Sequence, residues 1–396
     1  MDVGQMAAGR EDGQRTLCFE AMRIVAAFFV IFNHTGDAGY KLFASCAPGS
    51  LRYWAYMAIS VFCKFAVPLF FMISGALMLG RDEPIRALWK RRIPRILAAL
   101  AAVSLAHMLL GALTSGTFSI AGYFTALYSD GAHGSLWYLY VYLVYLVALP
   151  FLRAMVKSLN REHYLYLIAI ALIYSGLRPM AEYLLWQGRH ALHEYVRGAM
   201  WLPLSGVLYP LVGYFLHTGV SEESLPRRLA QLWPLNLLAI ALTCAMTAYQ
   251  ARVTGEAFGE DFFNCFVLVN AATVFLTVKW ACARVQFGRH MRFVILSMGA
   301  STFHIYLLHM LILPLGIVKR LAQACVRLGL DAMTVAFAQC AGVFLVCYLL
   351  SLAYTRFCTL WRGASGRRQP QGGTLPRGST QPRGGTQPQG DSQLRG

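Results

Sequence analysis

Residues 18–37 read CFEAMRIVAAFFVIFNHTGD. Ile24 to Phe32 is an unbroken apolar run, with Glu20 and Arg23 before it and Asn33, His34 and Asp37 after it. A helix that crosses a bilayer needs about 20 predominantly apolar residues, so the stretch reads as a membrane span with polar groups at both ends. Arg23 and His34 are 11 positions apart. At 100° per residue they fall within about 20° of each other and about 16 Å apart along the axis. Glu20 with Arg23, and His34 with Asp37, are i,i+3 pairs on one surface. The spacing fits either a boundary ion pair with an interfacial histidine, or one functional face.

The same texture recurs along the chain. We count ten candidate spans, at 18–36, 53–79, 94–114, 135–156, 162–178, 198–217, 232–249, 262–284, 293–317 and 333–358, of which the fifth is the shortest. Of 396 residues, 57% are hydrophobic and 13% charged, against about 25% charged in soluble domains. The fold class is therefore all-α, a polytopic transmembrane bundle. The net charge of +17 does not point to nucleic acid, because the basic residues lie between apolar runs or in the tail, as membrane topology requires. The ten cysteines are scattered without a CxxC pair, so neither a metal site nor a disulfide framework is expected. The polar first 17 residues are not a cleavable leader.

Loop charge orients the bundle. With the N-terminus inside, the loops on that side hold 15 basic residues, including Arg81, Arg86, Lys90, Arg91, Arg92 and Arg95. The opposite loops hold nine, including Lys41, Arg52, Arg189, Arg197, Lys319, Arg320 and Arg327. The bias favours N-inside and C-inside. Three regions follow: a polar cytoplasmic N-terminus at 1–17, a membrane domain at 18–360 and a tail at 361–396. The tail carries the hexapeptides GGTLPR, GSTQPR, GGTQPQ and GDSQLR from Gly372. With almost nothing to bury it should stay disordered.

Ionisable groups within spans need a reason to be there. Lys64 sits inside the second run, where it would need an anionic or carbonyl-rich partner. Pro68 should kink that run, and Ser74-Gly75 permits close approach of another helix. Arg91-Arg92-Ile93-Pro94-Arg95 leads into the third run. Arginines at a helix start, with free N–H groups nearby, suit phosphate. Tyr306 and His309 lie in the outer half of the ninth run, at the depth of His34, so the two histidines could share a cavity. His107 reads as packing. Trp137, Tyr138, Tyr140, Tyr142 and Tyr145 fit an interfacial belt or a platform for a glycan or nucleotide.

These stretches resemble the acyltransferase 3 family of integral membrane O-acyltransferases. The resemblance rests on Arg23 to His34, Phe70-Phe71-Met72-Ile73-Ser74-Gly75, Arg92-x-x-Arg95, Leu136-Trp137-Tyr138-Leu139, and Ser301 through Tyr306-Leu307-Leu308-His309, in family order. Glu20 stands where the family usually has aspartate. The chain is similar to stand-alone members that acetylate surface polysaccharides or enterobacterial common antigen. The resemblance implies acetyl-CoA or a related acyl-CoA as donor, a cell-envelope glycan hydroxyl as acceptor, and a bacterial inner-membrane location. On this reading His34 is the general base, Asp37 orients it, and Arg23 positions the donor arm or the helix. Arg91, Arg92, Arg95 and Lys64 hold the donor. Glu20, Ser74, Trp137, Tyr306 and His309 lie on the substrate side. The rival class is a transporter or flippase for an anionic or glycan substrate, for which we find no repeat between the halves.

Overall fold

The computed structural model describes residues 3–129, 132–186, 204–255 and 265–364. Fourteen helices carry the argument: α1 (Val3–Asn33), α2 (Leu51–Cys63), α3 (Ala66–Met78), α4 (Ile93–Ser115), α5 (Ile120–Tyr128), α6 (Trp137–Val156), α7 (Arg161–Leu172), α8 (Arg178–Trp186), α9 (Tyr209–Gly219), α10 (Leu225–Thr254), α11 (Val267–Arg284), α12 (Arg289–Ile312), α13 (Gly316–Arg327) and α14 (Ala332–Ala364). Among the described residues there is no strand, and nine helical runs are long and apolar enough to span a bilayer. The chain is an all-α polytopic bundle.

Nine of the ten expected spans appear. The sixth is described only from Leu204, as a wide turn leading into α9; its start lies outside the described residues, as do Arg189, Arg197 and the repeats beyond 364. The short fifth run is longer than its sequence suggested, because α7 continues through a wide turn at Ile173–Leu177 into α8. α1 begins at Val3, so a helix already runs through the polar first residues into the first span, which starts at Thr16. Residues 1–352 form one compact unit; residues 353–396 form a second, whose described part continues α14 to Ala364.

The second run departs most from expectation. It is not one helix kinked at Pro68 but two, broken at Lys64 and Phe65. Proline has no N–H to give the carbonyl four residues back, and for Pro68 that carbonyl belongs to Lys64. In hydrocarbon such freed groups need protein partners. The Asn33 amide donates to the Cys63 carbonyl at 3.2 Å and the Asn270 amide to the Val61 carbonyl at 3.4 Å. The break is thereby tied to the outer end of α1 and to α11.

α1 runs through the centre, packed on α3, α11 and α12. Phe19, Met22 and Ala26 meet Leu69, Met72 and Phe275 in one apolar cluster; Ile31 and Phe32 meet Met57, Ile305 and Cys340 in another. α3 and α9 approach more closely than ordinary side chains allow. A methyl group at Gly75 would overlap the Pro210 backbone, and one at Gly213 would overlap the Met72 backbone. Gly299 of α12 likewise makes room for the side chain of Glu20.

Gly75→Val or Gly213→Val should push α3 and α9 apart and cost about 1–3 kcal/mol or more, as overpacking does. The thermal midpoint of the purified protein in detergent should fall for both. Gly111→Val, where a Cβ meets nothing within 4 Å, should leave it unchanged. Equal midpoints for all three would show that the contact is not tight.

Candidate active site

The end of α1 builds the outer half of the site. The His34 amide bonds the Ile31 carbonyl at 3.0 Å rather than the carbonyl of Val30. The helix thus tightens in its last turn and frees Val30, whose carbonyl meets His34 Nδ1 at 2.8 Å. A carbonyl only accepts, so Nδ1 carries the proton and the Nε2 lone pair is left for chemistry. The imidazole also sits at a helix C-terminus, where the backbone dipole favours a cation.

This is where the structure departs from the role expected of Asp37. Asp37 is exposed on the short turn Gly36–Ala38, and among the described residues no contact joins it to His34. The backbone of Val30 does the orienting instead. Thr35 fixes the turn, donating to the Phe32 carbonyl at 2.7 Å and accepting from the Tyr40 amide at 2.8 Å.

His309 meets His34 edge to face, with ring centroids 5.1 Å apart. Two histidines expected to share a cavity from depth alone are in contact. His309 is 1% exposed. Its Nδ1 bonds the Tyr306 carbonyl at 2.6 Å, and its Nε2 is buried without a hydrogen-bond partner among the described residues. The Tyr306 hydroxyl donates to the Ser135 carbonyl at 2.6 Å.

From this pair a file of rings runs down one face of α6. Tyr306 lies 5.8 Å from His309 and 5.3 Å from Tyr138; Tyr138 lies 5.8 Å from Tyr142, and Tyr142 lies 5.7 Å from Tyr145. The Tyr142 hydroxyl donates to Met78 Sδ at 3.8 Å, and the Met78 carbonyl accepts from Arg153. The file therefore runs from the histidine pair to Met78, beside the basic loop. Tyr138, Tyr142 and Tyr145 stand at i, i+4 and i+7, a helical face that the sequence already contained. Trp137 opens α6 half-buried.

At the other end of α1, Arg23 pairs with Glu20 as expected. The second carboxylate oxygen of Glu20 is buried without a hydrogen-bond partner among the described residues, facing the space that Gly299 leaves. The basic loop differs from expectation in two ways. The helical run begins at Ile85, not at Arg91, so the free N–H groups expected beside the arginines are absent there. Leu88–Arg92 forms a wide five-residue turn instead, which gives the ring of Pro94 room beside the carbonyl of Lys90. Arg92 is also already paired: its Nε meets both carboxylate oxygens of Glu83 at 3.1 Å. Arg153, 7% exposed, holds the same carboxylate at 3.1 Å and the carbonyls of Met78 and Glu83 at 3.0 and 3.1 Å. Arg95 stacks its guanidinium 5.7 Å from the Phe303 ring, and Arg91 is exposed.

Lys64, expected with the donor-binding arginines, lies instead near the end of α1. Its ammonium is 4.8 Å from the ring of Tyr40, whose amide bonds Thr35. Sequence reading also passed over His133. It stacks on His107 at 4.3 Å and bonds the hydroxyl of Ser135, the residue whose carbonyl accepts from Tyr306. Nothing in its local sequence marks it; only the fold brings it to Ser135 and Tyr306.

A family model described as an acyltransferase domain matches residues 17–352. The chain belongs to that family, acyltransferase 3, and is a multi-pass membrane acyltransferase. No curated protein and no solved structure matches it.

Burial pushes the Glu83 carboxyl up, but the hydrogen bonds from Arg92 and Arg153 outweigh it and hold the group below the usual carboxylate range. Its ionised form therefore contributes stability that is fully present above the ordinary glutamate pKa of about 4.3 and is lost as pH falls through the lower folded value. Glu83→Gln should lower the thermal midpoint at neutral pH, at a cost of about 1–3 kcal/mol for a partly buried charged donor left unpaired. The acid-side decline of the midpoint should be shallower in the variant than in the wild type. Identical acid limbs would remove Glu83 from the network.

Proposed function

We propose that the enzyme moves an acetyl or other short acyl group from cytoplasmic acyl-CoA to a hydroxyl of a cell-envelope glycan in the bacterial inner membrane. The observation that carries this reading is the His34 Nε2 lone pair, set beside His309 at the end of a ring file whose other end reaches Met78, held by Arg153. Nε2 takes the proton from the acceptor hydroxyl. The hydroxyl oxygen attacks the thioester carbonyl, the C–S bond breaks, and CoA leaves as the thiolate, which is then protonated. The helix C-terminus favours the imidazolium formed. Tyr306, His309 and Trp137 line the acceptor side. Arg92 and Arg95 meet donor phosphates, with Arg91 exposed beside them; guanidinium forks suit phosphate. Arg23, neutralised by Glu20, and Ser74 line the path between. With the N-terminus inside, the donor enters beside the basic loop and the acceptor approaches His34 from outside.

The break at Lys64 is a feature that transporters share. Membership of an acyltransferase family favours the enzyme over that rival.

His34→Ala should lower transfer by about 10²–10⁴-fold, the contribution of a positioned base, with membrane insertion intact. Mass spectrometry of surface glycans from cells with the wild type, the variant and no gene reads this directly. A gain of one acyl mass per repeat that needs His34 is expected; the same gain with His34→Ala would rule the histidine out as base.

Sidedness is testable separately. Asp37→Cys and Arg86→Cys, each in a background with native cysteines replaced, should differ toward an impermeant thiol reagent applied outside. The first should label and the second should not. Labelling in the reverse order, or of both, would overturn the cross-membrane route.

A further inference from the structure

α13 (Gly316–Arg327) is unlike the other helices. It joins α12 to α14 and, at 1.5 Å per residue, is only about 18 Å long, too short to span. None of its residues is buried. Its tethers are short, Leu313 to Leu315 before it and Leu328 to Asp331 after it. Both neighbouring helices are long and apolar enough to span a bilayer, so α13 is confined to one membrane face.

Its sequence, GIVKRLAQACVR, separates cleanly around the axis. At 100° per residue, Lys319, Arg320, Gln323 and Arg327 share one arc, with Val326 at its edge. The other arc is apolar and has two parts. Val318, Ala322 and Cys325 are half-buried, and Val318 packs on the cluster that holds Ile31, Phe32 and Ile305. Beside them Ile317, Leu321 and the following Leu328 stand 66%, 62% and 83% exposed. That ridge has no protein cover among the described residues. In water it would be costly, at about 25 cal/mol for each Å² of apolar surface.

The charges select the cover. The helix contains no acidic residue, and none of Lys319, Arg320 and Arg327 makes an ion pair among the described residues. The nearest carboxylate in sequence, Asp331, is taken by the Tyr56 hydroxyl and by Thr334, whose amide donates at 3.0 Å. An apolar ridge beside unpaired cations, on a helix held at a membrane face, matches an interfacial helix.

We propose that α13 lies in the membrane interface, with Ile317, Leu321 and Leu328 sunk among acyl chains and Lys319, Arg320 and Arg327 bound to anionic phospholipid headgroups. This also accounts for three basic residues in a loop that the charge bias places outside, since they hold lipid phosphate rather than set topology. The helix begins three residues beyond the helix that carries His309, so its depth fixes where that helix emerges.

Nitroxide labels at Leu321→Cys and Gln323→Cys, in the cysteine-replaced full chain reconstituted in phosphatidylcholine–phosphatidylglycerol vesicles, test the placement. The label at 321 should be more accessible to oxygen than to a water-soluble nickel chelate, and the label at 323 the reverse. Equal nickel access at both positions would put the ridge in water. Closure of 321 to both reagents would mean that a second copy or another protein covers it. Either result overturns the proposal. The wild-type chain, with its cysteines intact, gives a second readout by hydrogen exchange. Adding phosphatidylglycerol to phosphatidylcholine vesicles should slow exchange across 316–327 several-fold. Lys319→Gln with Arg320→Gln and Arg327→Gln should remove that slowing. Slowing that survives in the triple variant, or none in the wild type, would refute the anionic-lipid contact.

Discussion

A carbonyl freed inside a bilayer has no water to turn to, and the organisation of this enzyme follows from how one such fault is met. The second span is broken at Lys64 and Phe65, ahead of Pro68, and the amides of Asn33 and Asn270 reach the Cys63 and Val61 carbonyls beside the break. Asn33 is the residue immediately before His34. The clasp beside the break therefore also fixes the end of α1 on which the His34 imidazole stands. The same break brings the Lys64 ammonium over Tyr40, whose amide bonds Thr35 next to His34. A defect in one helix and the placement of a histidine on another are the same piece of construction.

The two ends of the site are held by different physics. Around Glu83, Arg92 and Arg153 the bonds are between charges, partly shielded, with Arg153 also gripping main-chain carbonyls. Arg92 is anchored through its Nε, which meets both carboxylate oxygens of Glu83. Around His34 and His309 the partners are main-chain carbonyls and aromatic rings. Between them lies a file of tyrosines rather than a chain of charges. Such a lining presents rings along its length and hydroxyls at intervals, a surface that suits an uncharged acyl arm better than an ion.

The fold class was legible because bilayer spans have one strong requirement, a long apolar run, and this chain meets it repeatedly. The sharing of a face by Arg23 and His34 was legible for the same reason, since α1 is regular over that distance. His34 and His309 were matched by depth, a one-dimensional property that topology supplies. What escaped the sequence was set by backbone irregularity or by lateral packing. The break at Lys64 moved that residue away from the arginines. The wide turn before Pro94 moved the helix start back to Ile85. His133 reaches Ser135, beside Tyr306, from a loop, and Gly299 makes room for Glu20 from another helix; neither carries a local signature. Asp37 stood at the right spacing from His34, but the helix had already tightened and turned away.

The partner that orients His34 is the carbonyl of Val30, and a main-chain carbonyl has no codon of its own. In many hydrolases the corresponding role falls to a carboxylate side chain, which a single base change can delete. Here any residue at position 30 other than one that breaks the helix supplies the same acceptor. The imidazole is thus held by the most mutation-proof group a protein possesses. Genetic variation at this end of the site can change the ring itself, or the fold beneath it, but cannot strip the ring of its support one side chain at a time.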